Sequence, residues 1–544
     1  MPIADERSES NDKLLIEPLA CHFISPINLP FDLAGSFAEP RTNHFHSGID
    51  IKTNKVEGYP IFAVADGFIS RIKISPFGYG KVVYVEHQNG YTSVYAHLQK
   101  FNKLLDSLAL SYMYANQTNE IDIVLEKNKF KVKQADTIAF SGNSGGSTAP
   151  HLHFEIRETV SEMARNPLDF YSSDMFVDST KPSIQKIIIK EFFNENFVLD
   201  TMNVYKASDF VTQNSSVVYV QQPYFTFAVQ GYDKQNELSQ NKNGIQKIEV
   251  FERNSLLFEY DIQKIDFNST RACNVFFDYN YYLHNKNVYA YNCFQLTNNT
   301  LPIYTNQNKK IYTILPNDTM FLTIYAYDYN QNKTVHYINV CHRKNNYVKN
   351  EIAKIINKRL VSASQKDSVV VGNFKIIWNK NTFYDKQYLH YDVDTTKQKF
   401  IVQLYKDETP LHNSAEIVIN NSTLKNKYKL CVVLENDNKK NYLSTTVHND
   451  NFIAQNKELG KFYLDYDTIA LTISTVVFKN NQFSAFIEDK QSGILTYNLY
   501  VDDKWTPIYY DAKNNSIQSY TSIKGTKLKL VVIDKKNNIS TYEK

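Results

Sequence analysis

Short runs of alternating apolar and polar residues, each ended by turn residues, recur along nearly the whole chain. Residues 68–74 alternate in this way, and residues 81–86 and 91–97 flank the turn Asn89-Gly90. A period of two is typical of strands with one buried face, and Asn-Gly favours a hairpin turn. Aromatic residues make up 14% of the chain, and they suit pleated surfaces. The sequence therefore predicts a mostly β, antiparallel fold.

The chain is too long for one hydrophobic core. Its 544 residues correspond to three or four domains at roughly 150 residues each. Apolar residues recur at three- and four-residue steps only at about residues 101–116, which predicts a helical insertion between two strands. The predicted units are a loose N-terminal segment (1–22), a compact β domain (23–175), a β-sandwich module (176–350), a β module (351–445) and a second β-sandwich module (446–544).

Two distant segments resemble each other. Asp233-Lys234-Gln235 followed by Gly244-Ile245 is echoed by Asp489-Lys490-Gln491 followed by Gly493-Ile494. Both segments also end alike, with an apolar strand pattern, an Asp and a nearby Asn: residues 325–330 and residues 531–537. Such a repeat is typical of tandem modules. We therefore predict sandwich modules of the immunoglobulin or fibronectin class after the first domain.

Charge and hydropathy exclude two classes of partner. The net charge is +3 and no dense basic stripe exists, so we expect no nucleic-acid partner. No run of about 18 apolar residues occurs, so we expect no membrane span. The five cysteines form no C-x-x-C pattern. Cys273 and Cys293 lie in one β-rich stretch, and whether they pair is open at this point.

The N-terminus does not read as a signal peptide, because MPIADERSES lacks a basic start followed by an apolar stretch. Leu19-Ala20-Cys21 faintly resembles a lipoprotein cleavage site, but Glu17 and Pro18 stand where an apolar run is needed. We expect that an export signal has been removed, or that the chain is not exported by that route.

Five polar side chains of the first domain form a pattern that points to metal chemistry. His46 and Asp50 form H-x-x-x-D, His97 ends a strand pattern, and His151 and His153 form H-x-H. Residues two apart in a strand share a face, so His151 and His153 lie together. A hydrolytic zinc ion needs three nitrogen or oxygen ligands and one open position, and His46, Asp50 and His153 supply that set. His97 and His151 are candidates for proton transfer.

The combination of motifs resembles the lysostaphin/LytM-type zinc endopeptidases that cut bacterial cell-wall peptides. The matching segments, in the family's order, are residues 46–50 (HSGID), 64–67 (VADG), 78–80 (GYG), 95–98 (YAHL) and 141–155 (SGNSGGSTAPHLHFE). The resemblance covers roughly residues 30–170. It implies an antiparallel β LytM-type peptidase domain, followed here by the sandwich modules.

The resemblance also implies roles for the five residues. His46, Asp50 and His153 would hold one Zn²⁺, while His97 and His151 would act beside it. One would be the general base and the other would steady the tetrahedral intermediate, and the sequence leaves open which does which. The implied substrate is peptidoglycan, cut in its stem peptides or cross-links. The implied location is the periplasm, cell envelope or exterior. The C-terminal modules would position the enzyme or bind an envelope partner.

Two other functions are compatible with the sequence. The chain can be a non-catalytic or autoinhibited envelope scaffold or activator, with its zinc site occluded by residues 1–30 or by the helix at 101–116. It can also be a peptidase of secreted proteins. All five motif residues are present, which favours a working peptidoglycan hydrolase.

Overall fold

The computed structural model describes residues 23–195, 199–212, 217–286, 288–304, 308–343, 358–394, 401–404 and 410–544. The predicted loose segment 1–22 lies outside them, as does the start of the predicted third module. The fold is mostly β and its sheets are antiparallel almost throughout, which confirms the predicted class.

The first domain is built on a ten-stranded sheet of order β1-β4-β13-β8-β7-β6-β10, with β11 and β14 paired at its margins and β21 joined through β14. Three further strands form the small sheet β5-β12-β9, and β2 pairs with β3. The strands are β1 (Leu33–Gly35), β2 (Pro40–Arg41), β3 (His44–Phe45), β4 (Ile49–Lys52), β5 (Pro60–Phe62), β6 (Gly67–Ile74), β7 (Lys81–His87), β8 (Tyr91–Ala96), β9 (Lys100–Phe101), β10 (Ile121–Val124), β11 (Lys131–Val132), β12 (Thr137–Phe140), β13 (His151–Glu158) and β14 (Ala164–Arg165).

One long helix interrupts the first domain: α1 (Lys103–Asn116). Asn102 caps its N-terminus by accepting a hydrogen bond from the backbone N–H of Leu105, which satisfies one of the free donors of the first turn. Leu105, Ala109 and Met113 recur at four-residue steps and are buried, so one face of the helix packs on the domain core.

The second unit shares its core with the first domain, because residues from Phe23 to Val340 belong to one continuous hydrophobic cluster. It has two five-stranded sheets, and β21 pairs with β14 of the first domain. Its strands are β15 (Ser183–Phe192), β16 (Leu199–Lys206), β17 (Val217–Val220), β18 (Tyr224–Tyr232), β19 (Lys247–Glu252), β20 (Ser255–Asp261), β21 (Lys264–Ile265), β22 (Ala290–Asn292), β23 (Tyr312–Thr313), β24 (Thr319–Tyr327) and β25 (Lys333–His342), with short helices α2 (Cys273–Phe276) and α3 (Tyr279–His284).

Two further units follow, and each has two sheets that share one hydrophobic cluster. The first contains β26 (Lys358–Val361), β27 (Asp367–Val371), β28 (Phe374–Trp378), β29 (Gln387–Asp394), β30 (Ile401–Leu404), β31 (Ala415–Asn420), β32 (Leu430–Asn436), β33 (Lys439–Tyr442), β34 (Thr445–His448), β35 (Asn451–Asn456) and β36 (Lys461–Tyr466). The second contains β37 (Thr472–Lys479), β38 (Gln482–Glu488), β39 (Ile494–Val501), β40 (Lys504–Thr506), β41 (Ile508–Asp511), β42 (Ser516–Ser519), β43 (Leu528–Asp534) and β44 (Ile539–Glu543).

Short 3₁₀ helices complete the secondary structure at Pro167–Phe170, Ala207–Phe210, Thr270–Ala272 and Lys427–Lys429. The predicted domain boundaries and the immunoglobulin or fibronectin identity of the modules stay predictions. Cys273 and Cys293 are free, buried thiols, so the pairing that the sequence left open is not formed. Within the described residues, no helix is long and apolar enough to span a membrane.

Arg271 joins three units of the chain. Its guanidinium donates hydrogen bonds to Asn43 Oδ1 of the first domain at 2.7 Å, and to the carbonyl oxygens of Leu411 and Lys457 at 2.9 and 3.1 Å. Burial also lowers the pKa of Arg271 from its ordinary value. These contacts fix the relative placement of the units around one cation.

We predict that Arg271→Met lowers the free energy of unfolding by about 2–3 kcal/mol, because three hydrogen bonds to a charged group are lost while the aliphatic stem is kept. Chemical denaturation followed by tryptophan fluorescence measures it. Arg253→Met, at an exposed position, is the control and should change stability little. Equal stability of the two variants would contradict the bridging role of Arg271.

Candidate metal centre

Two neighbouring strands bring His46, Asp50 and His153 together. Asp50 on β4 lies directly opposite His153 on β13 in the antiparallel register. His46 lies on the segment that enters β4, and Gly48 lets this segment approach β13 closely. A Cβ at Gly48 would lie 2.2 Å from the carbonyl oxygen of Phe154, so no larger residue fits there.

The three side chains converge on one point. Asp50 Oδ1 lies 3.0 Å from His46 Nε2 and 2.9 Å from His153 Nδ1, and these two nitrogens are 3.0 Å apart. All three residues are buried, and they form one group of potential ligands. The structure thus brings together the three residues that the sequence nominates as metal ligands.

The second nitrogen of each ligand imidazole is held by an acceptor. His46 Nδ1 lies 2.7 Å from the carbonyl oxygen of Ser36, and His153 Nε2 lies 2.8 Å from Glu155 Oε1. Donation at these positions leaves His46 Nε2 and His153 Nδ1 as lone pairs that face Asp50. Such outer partners fix the tautomer and orientation of ligand imidazoles.

Glu155 is the centre of a buried network behind His153. Its carboxylate accepts hydrogen bonds from Ser47 Oγ and Tyr79 Oη at 2.6 Å each and from Arg157 Nε at 2.6 Å. Burial alone would raise the pKa of Glu155, but the Arg157 charge and the His153 hydrogen bond hold it well below its ordinary value. Glu155 is therefore an anion that supports His153.

The electrostatics of the cluster favour a cation between its members. Burial opposes the charge on Asp50, but His46, His151 and His153 hold the pKa of Asp50 well below its ordinary value. Burial lowers the pKa of His153, and the hydrogen bonds to Asp50 and Glu155 outweigh it and raise that pKa to about 9. When no metal is bound, His153 therefore carries the proton. That proton must leave before a metal binds, since a metal ligand must be deprotonated.

The two remaining histidines lie beside this cluster. The ring of His97 is 4.9 Å from that of His151 and 5.7 Å from that of His153, between centroids. His97 Nδ1 lies 2.9 Å from the carbonyl oxygen of Ser144, and His151 Nδ1 lies 2.8 Å from that of Ala149. Donation from Nδ1 leaves each Nε2 as an acceptor, and His151 Nε2 lies 3.3 Å from Asp50 Oδ1. Burial, aided by the nearby imidazoles, lowers the pKa of His97 to about 3, so His97 is neutral near pH 7.

The backbone of His97 is in the left-handed region, with φ of 57°. This conformation is uncommon for a residue other than glycine and occurs where the surrounding structure imposes it. Hydrogen bonds hold it in place, because the His97 backbone N–H donates to Tyr79 and the His97 ring contacts Ser144. The end of β8 thus directs His97 to the cluster.

Sequence reasoning gave no role to the outer residues Glu155 and Arg157. The signal that identifies them is the period of two along β13: His151, His153, Glu155 and Arg157 share one face. Leu152 and Phe154 point to the other face and are fully buried in the core. His44 is exposed and contacts Thr42, apart from the cluster.

The donor set fits zinc. Two imidazole nitrogens and one carboxylate oxygen are ligands that catalytic zinc sites use, with one position left for water. Ligand bonds of about 2.0–2.1 Å in tetrahedral geometry separate ligand atoms by about 3.3 Å. The observed separations of 2.9–3.0 Å are close to that spacing. The fold and the cluster together define a site of the metallohydrolase type.

Comparison with known families agrees with this class. Residues 44–167 match the model of peptidase family M23, so this part of the chain forms an M23 peptidase domain. Residues 358–467 match the model of the Zu5-like domain. All five histidine and aspartate residues of the site fall within the M23 match.

Curated relatives match over the same part of the chain. A DD-carboxypeptidase/endopeptidase Mpg of Neisseria meningitidis is 34% identical over 116 residues, which are 21% of each chain. The peptidoglycan DD-endopeptidase ShyC of Vibrio cholerae is 30% identical over 145 residues, 26% of this chain and 27% of the relative. An uncharacterized metalloprotease of Haemophilus influenzae is 34% identical over 123 residues. The chain thus spans only about a fifth to a quarter of the length of these relatives.

Solved structures are also similar to part of the chain. The catalytic domain of lysostaphin from Staphylococcus simulans is 25% identical, with 25% of this chain and 87% of that domain covered and a TM-score of 0.19.

We predict that Glu155→Gln weakens zinc binding about 10- to 100-fold, the usual cost of losing an outer partner of a ligand imidazole. Competition with a chelator indicator measures the affinity. Glu158→Gln is the matched control, because Glu158 lies on the same strand but bonds only to Ser161 and Arg165 at the surface. Equal zinc affinity of the two variants would show that Glu155 does not support the site.

Proposed function

We propose that the chain is a zinc metalloendopeptidase that hydrolyses amide bonds in peptidoglycan stem peptides or cross-links. The observation that carries the proposal is the convergence of His46 Nε2, Asp50 Oδ1 and His153 Nδ1 at 2.9–3.0 Å from each other, with the rings of His97 and His151 beside them. The M23 match of residues 44–167 and the relatives named as peptidoglycan DD-endopeptidases support it.

His46, Asp50 and His153 would hold one zinc ion. When bound, zinc lowers the pKa of a coordinated water and polarises the scissile carbonyl. His97 and His151 are the candidate bases of the site, because each has Nδ1 within hydrogen-bond distance of a backbone carbonyl, which leaves Nε2 to accept a proton. His151 Nε2 lies 3.3 Å from Asp50 Oδ1. One would accept the proton of the attacking water at Nε2 and pass it to the leaving amine, and the other would steady the tetrahedral intermediate.

The proposed location and partners of the chain rest on its relatives. One relative is named a peptidoglycan DD-endopeptidase and another a cell division protein, so we propose a periplasmic, envelope or extracellular location for this chain. The units after the M23 domain would position it on the cell wall or contact an envelope protein. The first domain and the second unit share one hydrophobic core, so the second unit is packed directly on the peptidase domain.

Ligand and base substitutions separate the two roles. We predict that His153→Ala loses both zinc and peptidoglycan digestion, because one of three ligands is removed. His97→Ala should keep one equivalent of zinc yet lose activity by about 10²- to 10⁴-fold, the usual contribution of a general acid–base group. Zinc is measured by elemental analysis, and digestion by release of muropeptides from purified sacculi.

His44→Ala is the control for these variants, because His44 is exposed and lies two residues from a ligand. It should keep both zinc and activity. Full digestion by His153→Ala would refute the proposed ligand set.

Contacts of the C-terminal unit favour a second candidate function, in which the chain is an autoinhibited enzyme or an activator. The backbone N–H of Gly145 donates to Tyr509 Oη at 3.3 Å, and Lys513 Nζ donates to the carbonyl oxygen of Asn143. These residues flank Ser144, whose carbonyl holds His97. The C-terminal unit also contacts α1, where Tyr114 lies against Trp505.

If this contact restrains the site, the double variant Tyr509→Phe/Lys513→Ala should digest sacculi faster than the wild type by severalfold, with unchanged zinc content. Lys527→Ala, which removes an exposed lysine of the same unit, is the control. Unchanged or reduced digestion by the double variant would exclude autoinhibition through this contact.

A further inference from the structure

Two groups of three aspartates lie outside the candidate zinc site and correspond to each other through the internal repeat. Asp178, Asp233 and Asp328 form the first group, and Asp467, Asp489 and Asp534 form the second. In each group the potential ligand oxygens of the three carboxylates lie within 4.8 Å of one another. We call them the first and second aspartate clusters.

The members of the two clusters occupy the same places in the chain. The first Asp precedes the opening strand of its unit by five residues: Asp178 before β15 and Asp467 before β37. The second Asp directly follows a strand: Asp233 after β18 and Asp489 after β38. The third lies at the end of a strand, Asp328 just after β24 and Asp534 as the last residue of β43.

The surroundings are repeated as well. Asn332 donates to both carboxylate oxygens of Asp328, from its backbone at 2.8 Å and its side chain at 2.7 Å. Asn538 donates to both oxygens of Asp534 in the same way, at 2.8 and 2.6 Å. The two Asn side chains also donate to the backbone carbonyls of Asp178 and Asp467. The repeat therefore preserves a three-dimensional arrangement of oxygen atoms.

The negative charge of the clusters is not neutralised by protein cations. Within the described part of the chain, none of the six carboxylates forms a salt bridge with Lys, Arg or His. Five of the six are buried. Burial and the charges of Asp178 and Asp328 raise the pKa of Asp233 to about 8, and burial raises that of Asp328 to about 6. Burial, with the charges of Asp467 and Asp534, also raises the pKa of Asp489.

An independent feature points to a ligand in both clusters. The residue before the repeated Gly-Ile is Asn243 in one unit and Ser492 in the other. Asn243 is 5% exposed and Ser492 is 6% exposed, and among the described residues Asn243 Oδ1 and Ser492 Oγ have no hydrogen-bond partner. Buried oxygens are seldom left without a donor.

Both oxygens belong to residues that are joined to their cluster by backbone hydrogen bonds. Asn243 pairs with Asp233 through two backbone hydrogen bonds, so the two side chains lie on one face of that bridge. The backbone N–H of Ser492 donates to Asp467 Oδ2 at 3.0 Å. In the first cluster, Asp233 Oδ1 is itself buried without a partner.

We propose that each aspartate cluster binds one calcium ion. Calcium takes six to eight oxygen ligands from carboxylates, amide or backbone carbonyls and water, and the clusters offer oxygen donors alone. A divalent cation compensates three converging carboxylates and gives a partner to the orphaned oxygen of Asn243 or Ser492. A surface pocket lined in part by Asp178, Tyr329 and Asn330 lies next to the first cluster and gives access to it.

Each aspartate cluster lies at a junction between two units of the chain. Asp178 lies between the 3₁₀ helix Pro167–Phe170 of the first domain and β15 of the second unit. Asp467 lies between β36 and β37, where one C-terminal unit passes into the next. Each ion would join the segment between two units to the strand ends of the following unit, and so stiffen both junctions.

Calcium titration of the full-length chain tests the proposal. The protein is freed of metal, given one equivalent of zinc and titrated calorimetrically with CaCl₂. We expect two calcium equivalents, unchanged zinc content, and a midpoint of thermal unfolding that rises with calcium concentration, because a ligand that binds only the folded state stabilises it. Fewer than two equivalents at millimolar calcium would overturn the proposal.

Variants assign the two equivalents to the clusters. Asp233→Asn and Asp489→Asn should each bind one equivalent, and the double variant none. Each should fold without calcium, because the neutral amide relieves repulsion between like charges. Asp503→Asn, which removes an exposed carboxylate of the C-terminal unit, is the charge-matched control and should bind two. Binding of two equivalents by the double variant would overturn the proposal, whereas sacculus digestion reports separately on the zinc site.

Discussion

The metal centre depends on one buried carboxylate. Asp50 is 8% exposed and lies within hydrogen-bond distance of two imidazoles, with a third imidazole nitrogen, His151 Nε2, at 3.3 Å. A buried charge is costly unless it is paired, so this anion needs positive charge at the point where the imidazoles meet. A proton on His153 supplies that charge in the absence of metal, and a divalent cation supplies more of it. The cluster is therefore a preformed cation site.

The β-sheet supplies the precision of this site. Asp50 and His153 are opposite each other because β4 pairs with β13 in a fixed register, and a slip by one residue would turn His153 into the core. The register is fixed in turn by Leu152 and Phe154, which are fully buried on the other face of β13. The network of Glu155, Arg157 and Tyr79 then holds the His153 ring. The alternation of side chains along β13 therefore determines both which residues pack in the core and which way His153 points.

Much of this could be read from the sequence. Alternation and turn residues predicted the mostly β class, and the spacing of His46, Asp50 and His153 predicted which side chains would meet. The role of Glu155 was missed, although its place on the His153 face follows from the same period. The contact between Gly145 and Tyr509 could not be predicted, because it joins positions more than 360 residues apart and depends on how whole units pack. The sequence repeat was read as a sign of module architecture, whereas the structure shows that its aspartates converge.

Two kinds of cation chemistry emerge from one β-rich chain. Two imidazoles and one carboxylate of the first domain form a donor set suited to zinc, and the oxygen donors at strand ends of later units form donor sets suited to a harder ion. The first kind has two further imidazoles beside it, which suit proton transfer. The second kind lies at junctions between units and lacks such bases, which fits a structural role.

The most direct test of the metal centre is anomalous diffraction at the zinc absorption edge from crystals of the full-length chain. If the three residues hold zinc, we expect one strong anomalous peak, about 2.0–2.2 Å from His46 Nε2, Asp50 Oδ1 and His153 Nδ1. A zinc-supplemented crystal with no peak there, or with the ion held by other residues, would contradict it.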